Sequence, residues 1–583
     1  MKRNINHIIA AVGMSLSLCA VTSCIEETTP KNLATPGQIS SSSKSLEYLA
    51  NSLPSFLVTW DTYGGDTYTQ DWGYPCQMFM RDVLCEDFPM NDNGYNYWSY
   101  VEDGTSLRYA YYYPYFYYYT FIKNANNVVS VAKTAVDGGN ESAKPYLGQG
   151  YGYRAFLYLD LARLYEYRKT GVQSLDDQAS QNGNYGITVP IVKETTTKTE
   201  LANNPCVPFY TMYRFIMHDL DMAEEALDGY ARSNKAFMDQ SVIYGLKTRL
   251  WLTMASRFEQ SSEDLAKQIE ADKNEDGYGI LGIRTAMDCY AKAAEYAQKA
   301  IHSDGYKPMT QEEWMNVKTG FNTANDSWMF GTLVNSKEQI NTAAWYTFLG
   351  WMCSESTWGM PNYNAYRCIG KALYDKISEK DWRRYSWVNP DDAGEQKDAE
   401  GKACVPAGYE TQLSASQWAN LPAYANLKFR AGSGSNDVLE TGLIASLPLM
   451  RVEEMYFDYF EAIAHTQSVA AAAQALQNFV NTYRYTDDSY QCEATDMDSF
   501  IQALMVQRRI ELWGEGLVMF DYKRLNLPVQ RNYVGSNYEA SYRLNSYSGY
   551  VAPWMNYMIP EDEKDRNPAV VLPPNPSGVI TAQ

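Results

Sequence analysis

Aromatic residues set in polar, glycine-punctuated stretches are the first side chains in this sequence that suggest chemistry. Tyr95, Tyr97, Trp98 and Tyr100 follow Asp92-Asn93-Gly94, with Trp60, Tyr63, Tyr68, Trp72 and Tyr74 just upstream. Trp345, Tyr346, Trp351, Trp358, Tyr363 and Tyr366 form a second group, broken by Gly350, Gly359 and Pro361. A flat ring buries the C–H face of a sugar, while Asp, Asn and Arg bond its hydroxyls. Trp72, Tyr95, Trp98, Trp351 and Trp358 are therefore the expected walls of an oligosaccharide cleft, with Arg81 and Asp82 bonding hydroxyls. The competing use of any such ring is packing beneath a loop. The run from Tyr111 to Tyr119 leads directly into a helix and is expected to pack.

A second constellation has the spacing of a metal loop. Asp272-Lys273-Asn274-Glu275-Asp276-Gly277 places side-chain oxygens at alternate positions, a glycine at the sharp turn and a Tyr278 carbonyl beyond it. Asp272, Asn274 and Asp276 are accordingly expected to hold a structural Ca2+. Ile283 stands where the twelfth-position acid belongs, so a further ligand must come from elsewhere, or the stretch is an ordinary polar turn.

Other catalytic chemistry is poorly represented. The four histidines, His7, His218, His302 and His465, have neither metal nor triad spacing. No HExxH, GxSxG or phosphate loop occurs. A glycosidase needs only two carboxylates and leaves no motif, so among 69 acidic residues a surface glycoside hydrolase stays the alternative to a binding protein. The net charge of −20 supplies no basic stripe for a phosphate backbone and excludes nucleic acid as a partner. Of ten cysteines, Cys76, Cys85, Cys206, Cys289, Cys353, Cys368, Cys404 and Cys492 are irregularly spaced, without CxxC pairs, and are expected to be buried thiols.

The elements that must position these residues are helices. Tyr213, Ile216, Leu220, Ala223 and Leu227 advance by threes and fours; so do Ile243, Leu246 and Leu250, then Tyr290, Ala294, Ala297 and Ile301, then Ala472, Leu476, Phe479 and Tyr483. Residues 116–135 and 146–167 also fit helices. Each stripe must be covered by a neighbour, which predicts a mainly α, tetratricopeptide-like solenoid of about four irregular helix pairs. Long aperiodic segments, 59–114, 310–367 and 391–442, interrupt it, and long loops on a rigid scaffold are where binding usually resides.

At the N-terminus Lys2 and Arg3 precede an apolar run too short to span a bilayer, which predicts a signal peptide over 1–23. Val21-Thr22-Ser23-Cys24 resembles a lipobox, making Cys24 the expected acylated residue. Lipid chains there would anchor the protein to a membrane. Glu26 and Glu27 resemble the export tract of surface lipoproteins.

Several stretches resemble the SusD/RagB family. Arg451-Val452-Glu453-Glu454-Met455-Tyr456, with Ala475, Asn481 and Arg484, resembles the helix pair opening that family's C-terminal part. Gln507-Arg508-Arg509-Ile510-Glu511-Leu512, Gly514-Glu515-Gly516 and Phe520-Asp521-Tyr522-Lys523-Arg524 resemble its most recognisable motif, with Gln507 where Glu is usual and Leu517-Val518 in place of more polar residues. Ile559-Pro560-Glu561-Asp562-Glu563 and Asn567-Pro568 resemble its close; Arg154 to Tyr158, Asp219-Leu220 and Lys299-Ala300-Ile301 match earlier helices. The resemblance implies a non-enzymatic outer-membrane lipoprotein. It would bind glycan, or peptide as in some relatives, at the cell surface for a SusC-like, TonB-dependent transporter. Residues 24–583 would form one solenoid domain, with N-terminal helix pairs over about 115–305, a loop-rich insertion over about 306–445, and the C-terminal pair and motif over about 446–583. Taken on their own chemistry, Arg508, Arg509, Glu511, Glu515, Asp521 and Arg524 read as a paired-charge network joining helix ends.

Overall fold

The computed structural model describes residues 43–60, 62, 71–91, 94–303, 305–341 and 343–579. The expected signal peptide, Cys24, Glu26, Glu27, Tyr63, Tyr68, Asp92 and Asn93 lie outside the described residues. Thirteen helices of eight or more residues occur among those described: α1 Ser43–Ala50, α2 Tyr74–Val83, α3 Arg108–Asp137, α4 Lys144–Tyr165, α5 Gln173–Asn182, α6 Phe209–Ala226, α7 Gln240–Gln260, α8 Ser262–Ala271, α9 Ala286–Ile301, α10 Val452–Thr466, α11 Val469–Tyr483, α12 Met497–Glu511 and α13 Val518–Leu525. The fold is mainly helical, as the periodicity predicts. None of these helices is long and apolar enough to cross a membrane.

Helix starts are written in the caps. Thr285 and Asp288 form a reciprocal capping box at α9, Asp496 and Ser499 do the same at α12, and the Ser468 hydroxyl accepts from the Ala471 N–H at α11. Four pairs stack: α3 with α4, α6 with α7, α9 with α10, and α11 with α12, and successive pairs touch through α4–α6, α7–α9 and α10–α11. Within the first pair the helices approach so closely that a Cβ on Gly150 of α4 would stand 2.7 Å from Val129 of α3. The third pair is built differently from an ordinary hairpin. About 150 residues separate the end of α9 from the start of α10. That excursion is fastened at its base by a two-stranded ladder, Trp328–Gly331 against Pro448–Arg451.

The C-terminal charges do pair, and deeply. The Glu511 carboxylate accepts from Arg383 at 2.8 Å, from Arg451 at 3.0 Å and from Arg484 at 2.8 and 2.9 Å. Arg451 also makes two 2.9 Å bonds to Glu515, which takes a third from Lys428 at 2.7 Å. Glu453 lies against Arg451 and Arg484, and Asp381 against Arg383. Four cations thus meet four carboxylates, every side chain at most 2% exposed. Burial would raise the Glu511 carboxyl, but the guanidiniums of Arg484, Arg451 and Arg383 reverse this and hold it well below the usual carboxylate range. Gln507 accepts from Arg383 at 2.6 Å; a neutral acceptor there leaves the balance of charge undisturbed. Separate pairs, Arg508 with Asp458 and Asp521, Arg524 with Glu461, and Arg509 with Asp87, tie α10, α12 and α13 together and to residues beyond α2.

The segment 59–114, expected to be aperiodic, holds a helix. All ten residues of α2 are buried, and its polar stripe of Gln77, Arg81 and Asp82 is turned onto protein instead of solvent. The tyrosine run is packing, as expected: Tyr111, Tyr115, Tyr117 and Tyr118 are buried in α3, which starts at Arg108 and tolerates Pro114.

Candidate functional site

Two short strands bring the aromatic segments together. Met90 pairs with Arg367 and Asn91 with Tyr366 in an antiparallel ladder, so the loop after residue 94 lies beside the stretch before 366. Tyr95 and Tyr363 then stand with ring centroids 4.5 Å apart, and Tyr97 meets Trp351 edge-on at 5.9 Å. Tyr95 and Tyr97 are each 43% exposed and Tyr100 58%, while Tyr363 is half-buried between exposed Asn362 and Asn364. Together they make an open tyrosine face edged by amides.

The tryptophans expected to form this face lie under it. Trp98 is wholly buried, 5.1 Å from Phe79 and 6.2 Å from Trp351. Trp351, on the short helix Phe348–Met352, is 1% exposed, and its indole N–H donates to the Trp345 carbonyl at 2.8 Å. Trp72 packs on Phe79 and Phe348, and Trp358 is also buried. All four rings are buried, and Trp98 and Trp351 form an aromatic floor on which Tyr97 rests.

Arg81 and Asp82 are likewise withdrawn from any ligand. Arg81 donates to the Gly516 carbonyl at 2.6 Å and to Asp160 at 3.2 Å, and Asp82 accepts from the Gly516 N–H at 2.8 Å. Burial pushes the Asp82 carboxyl up to about 8, against the pull of that N–H. Their role is to lock α2 onto the turn at Gly516. The backbone there has φ +69°, and an added Cβ would sit 2.4 Å from the Cα of Met78.

Of the seven expected glycan contacts, only Tyr95 is presented to solvent. Not in that set, Tyr97 and Tyr363 lie at the same surface. A signal for them exists in the sequence: tyrosine alternates with asparagine in Tyr95-Asn96-Tyr97 and in Asn362-Tyr363-Asn364. Next to this region, Trp60, Tyr346, Val334 and Ile340 bound a shallow groove of about 70 Å³. That is well short of the roughly 300 Å³ of an enclosing small-molecule pocket, so a ligand here would lie on the surface.

The expected calcium ligands do not converge. Asp276 forms a two-pronged ion pair with Arg214, one bond being 2.9 Å, and Asp272 accepts from the Leu281 and Gly282 N–H groups at 3.2 and 2.9 Å. Asn274 is exposed. Among the described residues no group of three His, Cys, Asp or Glu side chains could hold a metal ion. The donor set does not fit a divalent cation, because an arginine from α6 already provides the positive charge that closes this loop. The melting temperature should therefore be the same in excess chelator as in buffer. A fall on chelation, reversed by added calcium, would restore the metal loop.

The match to the SusD family model covers residues 287–583. Solved structures share the fold at low identity. A SusD-like carbohydrate-binding protein from Bacteroides vulgatus is 19% identical with a TM-score of 0.64, covering 91% of this chain and 97% of its own. A SusD homolog from Bacteroides thetaiotaomicron is 14% identical with a TM-score of 0.63, covering 93% and 99%. A SusD superfamily protein from the same species is 16% identical with a TM-score of 0.61, covering 91% and 100%. No curated protein matches the chain.

Proposed function

This chain belongs to the SusD family, and on that premise we propose that it is a cell-surface lipoprotein that captures glycan and passes it to a SusC-like, TonB-dependent transporter. The observation that carries this reading is the open face of Tyr95, Tyr97 and Tyr363, braced from beneath by Trp98 and Trp351. Exposed rings on a rigid floor suit a sugar: the face is apolar enough to stack, its hydroxyls and flanking amides supply directional bonds, and no ring need reorganise on binding. Lipidation at Cys24 would hold the protein in the outer membrane.

Binding without hydrolysis is favoured by the fate of two of the carboxylates in the aromatic segments. Glu102 is buried in an ion pair with Arg367, and Glu355 in one with Arg430. A glycosidase needs one carboxyl free to protonate and a second free to attack or activate water, and neither group is free in that sense.

The test is a polysaccharide panel read by affinity electrophoresis and calorimetry, with reducing-end release assayed in parallel. Binding without release is the expected result. Burying a large ring is worth roughly 1.5–3 kcal/mol, so Tyr95→Ala, Tyr97→Ala or Tyr363→Ala should weaken binding about ten- to a hundredfold with little change in melting temperature. Full affinity in all three variants would move the site elsewhere, first to the 370 Å³ hollow lined by Tyr111, Tyr112, Pro560 and Asp562.

A further inference from the structure

We propose that the ligand of the tyrosine face is an uncharged glycan and that glycans bearing carboxylates or sulfates are rejected. This rests on the glycan-binding reading and narrows it to a chemical class. The observation is a joint one of sequence and burial. From residue 45 to residue 107 the chain has ten acidic residues and a single basic one, Arg81; from 338 to 366 it has two acidic residues and no basic one. Arg81 is 1% exposed and consumed by Asp160 and Gly516.

Two arginines that border or back these segments are spent in the same way, while Arg108 stands just outside the first. Arg367, the next residue after the second segment, is buried against Glu102, and Arg430 is buried against Glu355. Lys44 and Lys337 are exposed, but each stands outside its segment's boundary. What the face presents is neutral: phenol hydroxyls of Tyr95, Tyr97 and Tyr363 and the amides of Asn362 and Asn364. Fields from exposed charges fade over about 8 Å at physiological ionic strength, so the charge that matters is the local one. An anionic sugar laid on these rings would lose hydration without gaining a counter-charge, and would do so beside an acidic chain. An uncharged sugar meets no such penalty.

The experiment uses the whole protein without its first 23 residues, and four probes: a neutral α-glucan, β-glucan, mannan and galactan, each beside a derivative oxidised to the uronate at C6. Polygalacturonate and a sulfated glycosaminoglycan complete the set. We expect one or more neutral polymers to bind with an affinity that changes less than threefold between 25 and 500 mM salt, the uronate derivative of the same polymer binding at least about tenfold more weakly at low salt. Asn362→Lys, which adds a cation beside Tyr363, should bring that derivative back to within about threefold of its parent. Preference for an acidic polymer, with affinity falling as salt rises, would overturn the neutral class while leaving glycan binding intact. No binding to any polymer of either kind would overturn the glycan reading itself, and this inference with it.

Discussion

Glu511→Gln should destabilise the protein by about 3–5 kcal/mol, the usual cost of removing one partner from a buried ion pair. The substitution keeps the volume and removes one negative charge, so Arg383, Arg451 and Arg484 would share the same buried volume without the carboxylate that all three grip. Equilibrium denaturation followed by circular dichroism measures the effect, and an unchanged midpoint would mean that the guanidiniums find water or other acceptors. The pH dependence has a definite sign. Because the arginines hold this carboxyl below its unfolded value near 4.3, its stabilising contribution is present above that value and is lost as pH falls toward the folded one. Acid unfolding of the parent should therefore steepen below about pH 4, and the variant should lack that component.

Trp351→Ala is expected to cost about 3–5 kcal/mol, through lost burial and the cavity left between Phe79, Trp98 and the Trp345 carbonyl. Glycan affinity should fall as well, indirectly, because Tyr97 rests on this ring. The two readouts separate its role from that of the face above it: Trp351→Ala lowers the melting temperature, whereas Tyr95→Ala spares it. If Trp351→Ala kept the parental melting temperature and lost only affinity, the ring would be a platform touching sugar directly, as its glycine-rich surroundings suggest.

Helices with one apolar stripe were legible because a half-buried helix writes its periodicity into the sequence: Tyr213 to Leu227 and Tyr290 to Ile301 are examples, and both lie in helices that pack as expected. The helix Tyr74–Val83 was not, since its stripe runs for only ten residues and its Arg81-Asp82 pair looks like loop polarity until Asp160 and Gly516 are seen to absorb it. Within the aromatic segments, most of the rings expected to face a ligand are buried, and for a physical reason. Indole is the largest apolar side chain, so the same property that makes tryptophan a good sugar platform makes it the preferred filler under a long loop. The expected calcium loop differs: its local spacing fits, but Asp276 pairs with a cation from a helix more than fifty residues earlier, which no local pattern reveals.

Separating α9 from α10 by about 150 residues has a kinetic meaning during synthesis. At roughly 5–20 residues per second, the ribosome needs about 8–30 s to deliver α10 after α9 is complete. Throughout that interval the face of α9 that α10 will cover, including the side of the Tyr290 ring that stacks on His465, stays uncovered. Arg383 and Lys428, made during the same interval, wait longer still for Glu511 and Glu515. The C-terminal third of the chain thus supplies the partners of α9 and of Arg383 and Lys428, and nascent chains halted before residue 515 would expose both apolar surface and uncompensated positive charge to whatever holds them.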